Sequence, residues 1–237
     1  MKQSVRQNKF LLICAIIVSI CIAIIFSTCY HFSSSVQKEN IGFIHIPQQG
    51  KIYFDSNDQS TYDQYLNVLD STIEPYETSR FVGNVIDCKK KEPGEGEVCG
   101  FFHSWLDHCG KNMLWGYKDN TPCVILTFRD NKEFDPVPYN SSDELHPGMP
   151  DSLKEKIRTS DNNMEMVWVY CENAVGYYPL QGFQKRFFPI KSDKGYLPPL
   201  IAVDFDLEGK DELDVKCTLY SKGSEFDTHF SIGKKKH

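Results

Sequence analysis

Six cysteines pose the first chemical question of this chain: Cys88, Cys99, Cys109, Cys123, Cys171 and Cys217. Thiols in such number serve as metal ligands where the compartment is reducing and as disulfides where it is oxidising. Cys99, His103, His108 and Cys109 together offer a zinc-like donor set, but the C-x-x-C steps that usually build such sites are missing. An even count reads instead as three disulfides, and spacing alone does not choose among the possible pairings. Asp204, Asp206 and Glu208, followed by Gly209, match the first half of a calcium loop. Its twelfth position holds Val215 where a bidentate Glu is required, so the acids read as a hairpin turn between Leu200–Phe205 and Leu213–Tyr220. No metal or other cofactor is expected. Without G-x-S-x-G, P-loop, H-E-x-x-H or G-x-G-x-x-G, no catalytic residue is assigned either. Two chemistries remain. Asn140-Ser141-Ser142 is a glycan acceptor sequon. Tyr177 and Tyr178, followed by Pro179 and Gly182, put flat apolar rings with polar tips where a partner protein could use them.

Which of these chemistries is open depends on the compartment, and the start of the chain decides that. Leu11 to Gln37 carries no Asp, Glu, Lys or Arg, and Phe10–Tyr30 is almost continuously apolar. At about 1.5 Å per residue this run reaches roughly 31 Å, one hydrocarbon core. Lys2, Arg6 and Lys9 precede it with no acid among them, so the N-terminal flank stays inside and the rest lies outside the cell. The run is longer than the apolar part of a cleaved signal peptide, and no A-x-A-like site closes it. The expected organisation is a cytoplasmic tail at 1–9, a transmembrane helix at 10–32, a juxtamembrane stalk at 33–59 and an extracellular domain at 60–237. Cys14, Cys21 and Cys29 fall in the span or at its end, as small packing residues. All 32 Asp and Glu follow the span, so the exterior is net acidic, which argues against nucleic acid as a partner.

Outside the membrane the pattern is mainly β. A helix is expected from Ser60, with Asp63 completing a variant capping box. Tyr62, Tyr65, Leu66, Leu69 and Ile73 share one face of it, and Pro75 ends it. Beyond it, period-two alternation predicts strands. Val124–Phe128 is an apolar run. Val167, Val169 and Cys171 share a face, as do Leu213, Val215, Cys217 and Leu219, and Phe226, Thr228, Phe230 and Ile232. Cys171 and Cys217 thus both sit on apolar faces, and a bridge between them would staple the core of a β-sandwich. Asp135–Asn163, rich in Pro, Asp and Ser, reads as a long surface loop.

These residues are similar to those of a known family, the β subunits of Na,K-ATPases and H,K-ATPases. Ile41-Gly42-Phe43-Ile44-His45-Ile46-Pro47 resembles its post-membrane G-L-x-x-x-P stretch. Ser60-Thr61-Tyr62-Asp63-Gln64-Tyr65 through Glu74-Pro75-Tyr76 resembles its S-Y-x-x-Y…L-E-P-Y helix. Val98-Cys99-Gly100-Phe101, Trp105 to Gly110, and Gly116 to Cys123 follow its cysteine region in order. Tyr177-Tyr178-Pro179 and Gly182 resemble Y-Y-P-Y-Y-G, Tyr196 to Phe205 resembles Y-L-Q-P-L-x-A-V-Q-F, and Val215 to Tyr220 resembles I-E-C-K-A-Y. The resemblance implies an immunoglobulin-like sandwich with one short helix, stapled as Cys88–Cys99, Cys109–Cys123 and Cys171–Cys217. It also implies a non-catalytic, type II plasma-membrane subunit that assists and regulates the catalytic α subunit of a P-type Na⁺/K⁺ or H⁺/K⁺ pump. Leu180-Gln181 replaces the second tyrosine pair and the inner tail is short, which marks a divergent member. An adhesion glycoprotein working without an α chain is the alternative.

Overall fold

Alternating apolar residues from Phe43 onward fold into strands that curl around one aromatic core. The computed structural model of the chain describes residues 42–78, 84–88, 93–129, 134–161, 165–190 and 196–235. The expected tail and span lie outside them, and no helix among the described residues is long and apolar enough to cross a membrane. In chain order the strands are β1 (Phe43–Ile46), β2 (Lys51–Phe54), β3 (Val85–Ile86), β4 (Val98–Cys99), β5 (Cys123–Phe128), β6 (Met166–Cys171), β7 (Ala174–Tyr178), β8 (Gly182–Gln184), β9 (Ile201–Phe205), β10 (Glu212–Ser221) and β11 (Ser224–Lys234). One sheet has the order β1-β5-β9-β7, antiparallel throughout. The other is β2-β11-β10-β6-β8, in which only β2 pairs in parallel. Rings bridge the two: Phe43 to Phe183 at 6.5 Å, Phe128 to Phe183 at 4.9 Å and Phe205 to Phe230 at 5.7 Å.

Four expectations change. The stretch to residue 59 is not stalk throughout, because β1 and β2 lie inside it, one at the edge of each sheet. Ile46, Ile52 and Phe54 are buried in the core, and that burial is what recruits the segment. The acidic turn after β9 is no hairpin, since β9 and β10 belong to different sheets. Leu207 at its centre is fully buried, and its N–H donates to the Asn120 carbonyl at 3.0 Å, so the turn carries the chain from one layer to the other. The segment read as a surface loop contains a helix, Asp151–Thr159. Leu153 and Ile157, one turn apart, bury against Met166, Trp168 and Tyr220 and cover the second face of the five-stranded sheet. That explains why Met166 and Trp168, on the face of β6 opposite Val167 and Val169, are buried as well.

The last change concerns the long helix, α1 (Asp63–Thr78), with the helix at Asp151–Thr159 following it as α2. A 3-10 turn, Gln59–Thr61, leads in. Its cap is Asp58, whose Oδ1 accepts from the Ser60 N–H at 3.1 Å and from the Ser60 hydroxyl at 2.6 Å. Ser60 is therefore not the cap, and Asp63 is engaged by the Gln59 amide at 3.0 Å instead. Nor does Pro75 end the helix, although a proline there costs a ladder bond, about 3 kcal/mol in a helix interior. Tyr76, one residue on, is buried, and its hydroxyl donates to the Pro198 carbonyl at 2.6 Å. That anchorage holds the final turn. Tyr62, Tyr65, Leu66, Leu69 and Ile73 all enter the core, as their spacing predicts.

His45 on β1 gives the fold a pH dependence. Its ring lies 4.6 Å from that of Phe230, Nδ1 is 2.6 Å from Thr228 Oγ1, and Nε2 is 3.3 Å from the Gln49 carbonyl. Burial, assisted by the nearby His229, pushes its pKa below the ordinary 6.5, against an opposing pull from the Gln49 carbonyl. The unfolded chain then takes up the proton first as pH falls. The stability associated with a neutral His45 is complete above 6.5 and is lost on acidification below it. Between pH 6.5 and 5.5 the wild type should lose up to about 1 kcal/mol more than His45→Gln, read as the shift of urea midpoints. Parallel pH profiles for the two proteins would refute this.

Candidate partner-binding face

Tyr177 and Tyr178 end β7, the edge strand of the four-stranded sheet, which leaves β6 through the turn at Glu172 and Asn173. The two rings do different work. The Tyr177 hydroxyl folds back over that turn, where it accepts the Cys171 N–H at 2.7 Å. Burial pushes it up to about 12. Tyr177 is therefore largely framework. Tyr178 is half-buried, with its ring edge-to-face on His108 at 4.6 Å. Burial raises its hydroxyl pKa, and Asp204 and Asp107 raise it further. Pro179 is exposed. Gly182 is buried where β8 begins, opposite Trp168, and a Cβ there would lie 2.6 Å from the Val167 carbonyl oxygen. It permits the close approach of two strands and offers no surface of its own.

A groove lies on each side of Pro179 and Leu180. One, of about 330 Å³, is lined by Phe101, Trp105, Asp107, Tyr178, Phe187 and Leu200 among others. The other, of about 550 Å³, runs past Lys156, Ser160, Trp168, Val175 and Tyr177. Pro179 and Leu180 line both, so they form a ridge between two clefts. Val175, on the same edge strand, leaves two thirds of its surface in water, at 66%. Apolar residues at an unpaired sheet edge form a surface suited to another polypeptide.

The cysteines are bonded as Cys88–Cys99, Cys109–Cys123 and Cys171–Cys217. The donor atoms of His108, Cys109 and Cys123 lie within 4.8 Å of one another, but both sulfurs are spent in a disulfide, as is that of Cys99. The zinc-like set has thus lost its thiolates. Cys171 and Cys217 sit directly opposite each other on neighbouring strands of one sheet, so their bond ties β6 to β10 rather than one sheet to the other. Asn140 starts a turn in which its carbonyl accepts the Asp143 N–H at 3.1 Å, with Ser142 exposed beside it.

The family described as "Sodium / potassium ATPase beta chain" matches residues 9–233. The chain belongs to that family. As a β chain it is an accessory protein and not an enzyme. Similar proteins include sodium/potassium-transporting ATPase subunit beta-1 of Drosophila melanogaster, 30% identical over 189 residues, covering 74% of this chain and 60% of that protein. Subunit beta-2 of the same organism is 27% identical over 202 residues, with coverage of 77% and 62%. Subunit beta-233 of Anguilla anguilla is 26% identical over 207 residues, with coverage of 74% and 66%. The chain therefore spans about three fifths of the length of its curated relatives.

Sequence patterns did not announce the surroundings of Tyr178. The sequence groups Asp204 with the acidic turn and His108 with the zinc-like set. In the fold Asp204 is buried on β9, and its Oδ2 lies 3.4 Å from His108 Nε2. The available signal was a charged residue inside the apolar run Leu200–Phe205, which strand burial would oblige to find a partner.

Proposed function

We propose that this chain is the β subunit of a P-type pump that exchanges Na⁺ for K⁺. It assists folding, assembly and membrane delivery of the catalytic α subunit and tunes its K⁺ affinity. One type II span at 10–32 holds an immunoglobulin-like domain outside the cell at the plasma membrane, with Asn140 glycosylated. The observation that carries the reading is the ridge of Pro179 and Leu180 between two clefts, with Tyr178 lining one of them, in a chain of the β family. Tyr178 and Pro179 meet the α chain there, while Tyr177 and Gly182 hold the ridge in shape. The three disulfides support an oxidising exterior.

The domain regulates by differential binding. A cap that holds the K⁺-occluded and open states of the pump with unequal affinity shifts their equilibrium, and with it the apparent K⁺ affinity. Within the bilayer, packing and occasional hydrogen bonds from Ser19, Ser27 or Thr28 would drive lateral association, since lipid gives no hydrophobic gain there.

Co-expression with a sodium-pump α chain tests this. Surface α and ouabain-sensitive ATPase activity should rise several-fold, and detergent extracts should yield the two chains in equal amounts. An unchanged α signal, with the chain reaching the surface alone, would overturn the reading in favour of an adhesion glycoprotein.

A further inference from the structure

Gly176 lies outside the partner motif, yet Tyr178 rests on it. It stands on β7 directly opposite Asp204 of β9, just after an irregularity that shifts the register between Ala174 and Gly176. Residues two apart share one face of a strand, so positions 176 and 178 point the same way. A Cβ at Gly176 would lie 2.5 Å from the Tyr178 hydroxyl oxygen, 3.0 Å from its Cζ and 2.7 Å from Asp204 Oδ1. A methyl carbon does not fit there unless something moves. The glycine thus leaves a hollow on the strand, and the tip of Tyr178 lies in it. The same ring packs edge-to-face on His108, with centroids 4.6 Å apart. Seated in this way, it forms part of the wall of the 330 Å³ cleft that borders Pro179 and Leu180.

Which group would yield to a side chain at 176 follows from length and burial. Asp204 is short and buried on an inner strand. Tyr178 is half-buried and touches the hollow only with the far end of a long side chain, which rotation about χ1 and χ2 lifts away. At Gly182 the nearest obstacle is a backbone carbonyl oxygen, so a methyl there disturbs the fold itself. At Gly176 all three obstacles are side-chain atoms. Alanine at 176 therefore unseats Tyr178 at a smaller cost to the domain and displaces the cleft wall. A partner that meets an unseated ring must order it again, and that ordering opposes binding.

We propose that Gly176 is a positioning residue for the partner face: lacking a Cβ, it lets Tyr178 lie back along β7, and this fixes the cleft wall that the α chain meets. The proposal rests on the partner reading above.

The test begins with the full chain expressed without an α chain and held in detergent. Gly176→Ala should shift the urea midpoint less than Gly182→Ala does; an equal shift would show Gly176 to be framework and overturn the proposal. Tetranitromethane should nitrate Tyr178 several-fold faster in Gly176→Ala than in the wild type, followed by peptide mass spectrometry. Unchanged nitration would overturn the seat, whatever the partner. In the second step each chain is co-expressed with a tagged sodium-pump α chain, captured through the tag, and its release timed. Gly176→Ala should release about tenfold faster than the wild type. Tyr178→Phe lacks the atom nearest the added methyl, so the double variant should return to within about threefold of Tyr178→Phe alone. A wild-type rate for Gly176→Ala, or no return in the double variant, would overturn the proposal and leave the partner reading intact. A wild-type chain that is not captured would overturn the partner reading, and this proposal with it, even where nitration shows the seat.

Discussion

Gly116→Ala should strongly destabilise the folded domain. Leu114, Trp115 and Gly116 form a left-handed run, with φ of 48°, 52° and 74°, inside the 3-10 segment Lys111–Asp119. A Cβ at Gly116 would stand 2.0 Å from the Thr121 carbonyl oxygen, a backbone atom that cannot rotate away. Thr121 is itself held, because its N–H donates to the Gly116 carbonyl at 3.0 Å. The run turns Trp115 wholly inward, where its indole N–H donates to Asp70 of α1 at 2.8 Å. It also stacks Tyr117 on Tyr62 and Tyr65, at 5.6 and 5.9 Å. Displacing Thr121 therefore loosens the dock of the whole helix. The expected loss is at least about 3 kcal/mol, from strained backbone and overpacking together. A domain's total stability is only about 5–15 kcal/mol. Gly209→Ala is the control: φ is 69° there as well, but nothing lies within 4 Å of the added methyl, so the cost should be about 1 kcal/mol. Urea unfolding of both variants, together with their export from cells, checks the contrast. Equal losses would show that backbone strain, not the contact with Thr121, dominates.

Removing the Cys171–Cys217 bond should cost more than removing either of the other two. It closes 46 residues of chain, against 14 for Cys109–Cys123 and 11 for Cys88–Cys99. In the chain-entropy account the longest loop contributes about 4 kcal/mol and the shorter ones about 3 kcal/mol each. Packing adds to the difference. That holds against the Cys88–Cys99 pair only: Cys171 and Cys217 are 1% and 0% exposed and Cys88 and Cys99 7% and 5%, whereas Cys109 and Cys123 are as fully buried, so loop length alone separates that bond. Double alanine variants of each pair, unfolded in urea under one oxidising condition, give the order directly. A larger loss for the Cys88 and Cys99 pair would refute it. The location of the bond makes the prediction sharper. Because it ties β6 to β10 within one sheet, its loss should free the β6–β7 turn, and with it the backbone N–H of Cys171 that holds Tyr177. Binding to an α chain should then weaken even where the domain still folds.

How far these features could be read in advance varies with their physical range. Leu213, Val215, Cys217 and Leu219 were legible as one strand face because alternation is a local property, and all four lie in the core. The buried face of α1 was legible for the same reason, but its end was not. Pro75 is a local stop signal, and a contact with Pro198, 122 residues away, overrides it. Helix α2 has a faint sequence signature because only Leu153 and Ile157 mark its inner face, amid Pro, Asp and Ser. What makes that face worth burying is Trp168 and Tyr220 on distant strands. Of the four residues that the motif singles out for a partner, Pro179 stands on the ridge and Tyr178 lines the cleft beside it, while Tyr177 and Gly182 are packed into the scaffold. Residue type could not separate those roles, because whether a tyrosine hydroxyl faces a partner or its own backbone depends on the turn beneath it.

By itself the sequence determined the class of this protein: a strand-rich, acidic domain with paired cysteines that belongs to the β-chain family. Composition, alternation and motif order are written along the chain and need no third dimension. Only the tertiary structure decided that β9 and β10 lie in separate layers and that Cys171 and Cys217 bond within one sheet. It alone set His108 against a buried Asp204 behind Tyr178. Those outcomes are contacts between residues far apart in the chain, and their energies exist only once the core has brought the groups together.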